Sequence, residues 1–185
     1  MKKAVNPIPD ALALGAIELI GKYLRRATFD GHDLEARYYM AIGAAMPMIA
    51  GAGMLYSHSI ANVLAMFKPL PHGIGCGVAL PYTMAFNLPV VEEKLALVAR
   101  AMGEPIESLS LREAGQRAVE LVYNLMVDVN MPVSIREMGF NQSDLPEMAE
   151  ICVDRYPKTN NPRSLSREEC LTIFRSLWEG KITFI

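Results

Sequence analysis

The chain has 185 residues, a formal net charge of −2 and an apolar fraction of 51%, which suffices for one core-bearing domain or at most two small ones. Charge this close to balance gives no electrostatic case for nucleic acid or an anionic membrane surface, and no block of like charges marks a solvated interaction tail. Cys76, Cys152 and Cys170 are odd in number and scattered, which fits reduced thiols in a cytoplasmic protein better than a disulfide framework.

Met1-Lys2-Lys3 is followed by Asn6-Pro7-Ile8-Pro9-Asp10, not by an apolar h-region, so no secretory leader is expected. Asn6 can cap a first helix with Pro7 at its first position, where the missing N–H costs nothing; that helix is expected to run to about Ala27. Thr28-Phe29-Asp30-Gly31 reads as a turn. A second helix is expected from near Asp33, to be kinked or ended by Pro47, which removes a backbone donor and crowds the preceding turn. The apolar stretch from Ala41 to Tyr56 is broken by Gly43, Pro47, Gly51 and Gly53. It is too short to span a bilayer and reads as a buried helix pair. The small residues of Ala50-Gly51-Ala52-Gly53 suggest close backbone approach.

A short helix is expected from Ser57 to Phe67, closed by Pro69 and Pro71. His72-Gly73 then opens a long apolar helix reaching Phe86, with a kink expected at Pro81 and a small-residue face of Gly73, Gly75, Gly77 and Ala79 that implies deep burial. Val91 to Met102 is amphipathic and stops at Gly103. Ser110-Leu111-Arg112-Glu113 has capping-box spacing. The helix after it places Leu111, Ala114, Ala118, Leu121, Val122, Leu125 and Val129 on one face. A helix over Leu145 to Tyr156 follows, and Ser166-Arg167-Glu168-Glu169 opens a last one that ends near Gly180. Strand-like alternation is confined to the tail, Ile182 to Ile185. The expected fold class is therefore all-α, a helical bundle, with residues 1–185 forming a single helical domain.

Three histidines are present. His32, in an Asp-Gly-His-Asp turn, reads as a surface residue. His58 and His72 lie in the most apolar third of the chain, 14 residues apart, each at the start of an expected helix. Imidazole nitrogen is a good ligand for iron, zinc or nickel, and a short Pro-rich connector could bring two helix starts together. The spacing alone equally allows two core histidines with satisfied hydrogen bonds.

The residues around them narrow the choice. His58, then Pro71-His72-Gly73, Leu80-Pro81 and Phe86-Asn87, together resemble a signature of the group III (iron-containing) alcohol dehydrogenases of the dehydroquinate synthase-like superfamily. Asn6-Pro7 with Asp10-Ala11-Leu12-Ala13, Asp30-Gly31, Asn161-Pro162-Arg163 and Trp178-Glu179-Gly180 fit the same family's C-terminal helical domain. The resemblance implies that His58 and His72 are two of four protein ligands of a divalent metal, Fe2+ or Zn2+. It implies that the other two, an aspartate and a histidine, lie before the position matching Asn6, and that NAD(P) is held by an N-terminal nucleotide-binding domain. Both are expected to be absent from this chain, and no G-x-G-x-x-G fingerprint stands in it. Many family members carry a further histidine at the position of Asn62. An amide can hydrogen-bond a substrate but cannot relay a proton near neutral pH, so Asn62 is a possible substrate contact. Ala45-Met46-Pro47-Met48-Ile49 also departs from the family run.

The function so implied is the metal- and substrate-binding half of an NAD(P)-dependent alcohol dehydrogenase. Its partners would be the nucleotide-binding domain, a small alcohol or aldehyde and, to cover apolar surface, a second copy of the chain, with no nucleic acid or membrane involved. With two imidazoles alone, the isolated chain is expected to be inactive and to bind metal and NAD(P) weakly or not at all; neither Asp10 nor Asp33 is singled out as a third ligand. The alternative is a non-catalytic binding or assembly module of the same descent.

Overall fold

The computed structural model describes residues 7–49, 51 and 53–184. Among them are seven α-helices and no strand: α1 Pro7–Phe29, α2 Leu34–Ile49, α3 Tyr56–Phe67, α4 His72–Ala101, α5 Leu111–Asp128, α6 Leu145–Arg155 and α7 Arg167–Glu179, with a 3-10 turn at Gln142–Asp144 before α6. They belong to two compact units. One comprises residues 54–90 and 130–184, the other the residues before Met54 together with 91–129. The all-helical expectation holds.

In the unit that contains α1, α2 and α5, the first two helices form an antiparallel hairpin. Tyr23 stacks on Tyr39 with ring centroids 4.5 Å apart. Gly43 leaves room for Leu19 and Ile20, whose nearest atoms lie 3.4–3.5 Å from where its Cβ would be, and Gly15 faces Met46. The paired positions descend on α1 as they rise on α2, which fixes the antiparallel sense. Asp33 caps α2 by accepting from the Ala36 N–H at 2.9 Å and also pairs with Arg26 at 2.8 Å. Helix α5 starts on a complete capping box, Ser110 with Glu113, and buries Ala114, Ala118 and Leu125. Leu111, expected on that face, is exposed, and Leu121 and Val122 are half-buried.

The other unit is built on Ile60, Val63, Leu64, Val78, Phe86, Leu88, Ile135, Met148, Phe174 and Leu177, all buried. Full burial of each such side chain is worth roughly 1.5–3 kcal/mol. Helix α7 begins with the second capping box, Ser166 with Glu169, and ends at Gly180, whose φ of 72° is the left-handed geometry that glycine adopts without a Cβ penalty. The buried amides of Asn87 and Asn161 bond each other, and Asn161 also donates to the Arg163 carbonyl. Arg163 lies over the Phe86 ring and pairs with Glu169.

Several sequence expectations shift. Pro47 lies inside α2, which ends two residues later at Ile49. The break in the long apolar helix falls at Val91 (φ −140°, ψ 28°), after Pro89 and not at Pro81, and α4 is two helices end to end. By length and composition α4 could cross a membrane, but 67% of its most apolar window is buried inside the protein, so it serves as core. Gly73 is exposed and nothing lies near its absent Cβ, against the expected deep burial. Each residue turns a helix by about 100°, so positions spaced by two cannot share one face. Gly51 likewise has open space around it, and its role is its φ of 61°. Residues 181–184 form no strand; the Thr183 hydroxyl oxygen accepts from Ser176 at 2.9 Å. The turn after α1 starts two residues later than expected, since α1 reaches Phe29. The Asn6 cap, Ala50 and Ala52 lie outside the described residues.

Candidate metal centre

His58 stands in the first turn of α3 and His72 at the first position of α4. Neighbouring side chains anchor both helix starts. Tyr56 is buried edge-on against Phe86, with centroids 6.3 Å apart. The Ser59 hydroxyl donates to the Tyr156 carbonyl at 2.6 Å, and Ile60 is fully buried. The connector carries Pro69 and Pro71, whose rings fix φ. The Pro71 carbonyl accepts from the N–H groups of Ile74 and Gly75 as α4 begins. Gly75 then permits the approach of the two helices. A Cβ there would lie 3.0 Å from the Ala61 Cβ and 3.2 Å from its Cα, closer than side chains ordinarily pack. Ala61 is three residues past His58, and Gly75 three past His72, so this contact sets the distance between the two rings.

The rings come within 5.5 Å of each other, centroid to centroid, at a tilt of 54°. Cys76, one helical turn after His72, completes a group of three. Its Sγ lies 3.3 Å from His72 Nε2, and one donor atom each from His58, His72 and Cys76 all fall within 4.8 Å of one another. His72 is exposed while His58 and Cys76 are half-buried, so the group opens to the surface on one side. Burial holds the His58 imidazole below its ordinary pKa, and His72 and Lys158 act in the same direction. Near neutral pH that ring is therefore neutral, with a lone pair available to a cation. Burial pushes the Cys76 thiol up, so in the absence of a cation it stays protonated and can donate to His72.

His58 Nδ1 is buried and has no hydrogen-bond partner among the described residues. Leaving such a nitrogen unanswered costs about 1–3 kcal/mol, an expense typical of a site that waits for a ligand. Two imidazoles and a thiol also match the chemistry of a divalent transition cation. The residues present therefore fit a metal.

Both sequence-predicted ligands thus converge, while Cys76 went unrecognised there as a donor. The signal was available: His72 and Cys76 are spaced i, i+4, which places both on one helix face. Asn62, one turn beyond His58 on α3, is half-buried. Asp10 and Asp33 are engaged elsewhere, with Lys94 and with Arg26. His32 is exposed, as expected.

Residues 1–178 match the profile of the Fe-containing alcohol dehydrogenase family, C-terminal. The chain is 35% identical over 177 residues to the 1,3-propanediol dehydrogenase of Klebsiella pneumoniae, covering 95% of this chain and 46% of that protein. It is 33% identical to the lactaldehyde reductase of Escherichia coli (strain K12), covering 92% of this chain and 45% of that one. Its fold is similar to the crystal structure of a 1,3-propanediol oxidoreductase, with a TM-score of 0.91 and 35% identity over 96% of this chain and 47% of that one. The alcohol dehydrogenase from Oenococcus oeni gives a TM-score of 0.91 at 34% identity, over 96% and 47%. The chain thus spans about half the length of the relatives it matches.

Proposed function

Because this chain belongs to the Fe-containing alcohol dehydrogenase family, as its C-terminal part, we propose that it is the metal- and substrate-binding half of an NAD(P)-dependent enzyme that interconverts an alcohol and an aldehyde. The observation that carries this reading is the convergence of His58 and His72, with a buried and unanswered nitrogen on the first. When bound, a divalent cation such as Fe2+ or Zn2+ supplies Lewis acidity toward the alcohol oxygen, and the hydride acceptor is a nicotinamide carried by a nucleotide-binding domain.

The chain's own residues hold and orient. His58 and His72 present nitrogen donors, one from each of two helices fixed by the Ala61–Gly75 contact. Asn62, a turn along α3 from His58, offers an amide that can hydrogen-bond a substrate hydroxyl without taking its proton. With the hydride acceptor assigned to the nucleotide-binding domain, these 185 residues are expected to be inactive alone. Cys152 and Cys170 are buried free thiols, which suits a cytoplasmic setting. Leu34, Tyr38, Met48 and Ile49 of α2 are exposed apolar side chains, which supports self-association; gel filtration returning a monomer at high concentration would count against that part.

The test is a fusion of this chain behind the N-terminal half of the Klebsiella 1,3-propanediol dehydrogenase. Metal-dependent reduction of NAD(P)+ by a small alcohol is expected, abolished by a chelator and by His58→Ala or His72→Ala. A fusion that folds and binds nucleotide and metal, yet oxidises no alcohol, would instead favour a non-catalytic assembly module.

A further inference from the structure

We propose that Cys76 is a third protein ligand of this centre, so that the chain holds a thiolate-accepting cation of the zinc or cobalt class in preference to ferrous iron. The inference rests on the reading above and specifies the metal of the same site. The geometry of α4 carries it. Metal–sulfur and metal–nitrogen distances of about 2.3 and 2.0–2.1 Å at tetrahedral angles hold the two donors roughly 3.6 Å apart. Cys76 Sγ and His72 Nε2 stand 3.3 Å apart already. The third donor, from His58, is within 4.8 Å of both, so a small rotation of one side chain closes the set.

Cys76 also differs from the other two thiols. Cys152 and Cys170 are sealed in the core, whereas Cys76 is half-buried with its sulfur 3.3 Å from the His72 nitrogen. On binding, the thiol gives its proton to solvent, the sulfur donates a lone pair to the cation, and no electron changes hands. Thiolate sulfur favours zinc over harder ions, and cobalt binds nitrogen and sulfur sites more tightly than ferrous iron. Three donors from this chain leave the remaining coordination positions to groups outside it.

The experiment titrates Co2+ into the purified, metal-free 185-residue chain and follows absorption. The expected result is one Co2+ per chain with a sulfur-to-cobalt charge-transfer band. Cys76→Ala should lose that band and bind about a hundredfold more weakly, the upper end of what even outer-shell partners of a metal are worth, and Cys76→His should bind without it. Circular dichroism of each variant checks that α4 stays folded; alanine in a half-buried helix position is well tolerated. If Co2+ binds with ligand-field bands alone and Cys76→Ala binds equally well, the inference falls while the two-histidine centre stands. Failure of the wild-type chain to bind Co2+ at all also overturns it, and leaves the proposed function to the fusion, whose readout is independent.

Discussion

Helix α7 begins with its polar groups answered, whereas α3, in the same unit, begins without a side-chain cap and carries an unanswered one. At α7, Ser166 accepts from the Glu169 N–H and Glu169 accepts in return from the Ser166 N–H. At α3, Leu55 supplies no side-chain cap, and the buried Nδ1 of His58, in the first turn, has no partner. The buried pair Asn87 and Asn161 sides with α7, each amide bonded to the other. Polar groups that serve the fold are closed on one another; the His58 nitrogen of the candidate centre is left without a partner among the described residues.

The comparison can be broken in descending order of effect. Phe86→Ala removes the ring that Tyr56 and Arg163 both pack on. It should cost about 3–5 kcal/mol of stability, read by urea unfolding, and loosen metal binding with it. Asn161→Ala leaves Asn87 unanswered and should cost about 1–3 kcal/mol. A loss well below that would mean that the amide pair is not the closed network described. Ser166→Ala breaks the capping box at a cost of about 1 kcal/mol, seen as a lower unfolding midpoint.

Acid sharpens the same point. Burial works to raise the pKa of Glu169, but bonds from Ser166 and the charge of Arg163 outweigh it and hold the carboxylate below its ordinary value. Its contribution is therefore complete above the ordinary glutamate pKa and lost as pH falls through the depressed one, in the region below pH about 4. Glu169→Gln should flatten that part of the stability profile; an unchanged acid limb would reject the assignment. The smallest effect is the most telling. His58→Leu discards the unanswered nitrogen, so the metal-free chain should be no less stable than wild type, while its cation affinity collapses. A clear loss of stability without metal would make His58 a structural residue.

The helices were largely legible because local chemistry announces them: both capping boxes, the αL glycine at position 180 and the apolar rhythm of α5 are readable from short windows. The two histidines were legible through their surroundings. What stayed hidden depends on packing or spacing that composition does not display. The break at Val91 is not at the proline that drew attention, and Gly73 and Gly75, neighbours in one pattern, have opposite environments. Cys76 was counted as a thiol among thiols, although its distance of one turn from His72 was on view.

Because His72 and Cys76 ride on the same turn of α4, their mutual spacing belongs to that turn alone and persists as long as it stays wound. His58 arrives from a separate 12-residue helix. Loosening α3 would turn a three-pronged grip into a two-pronged clip without releasing what it holds.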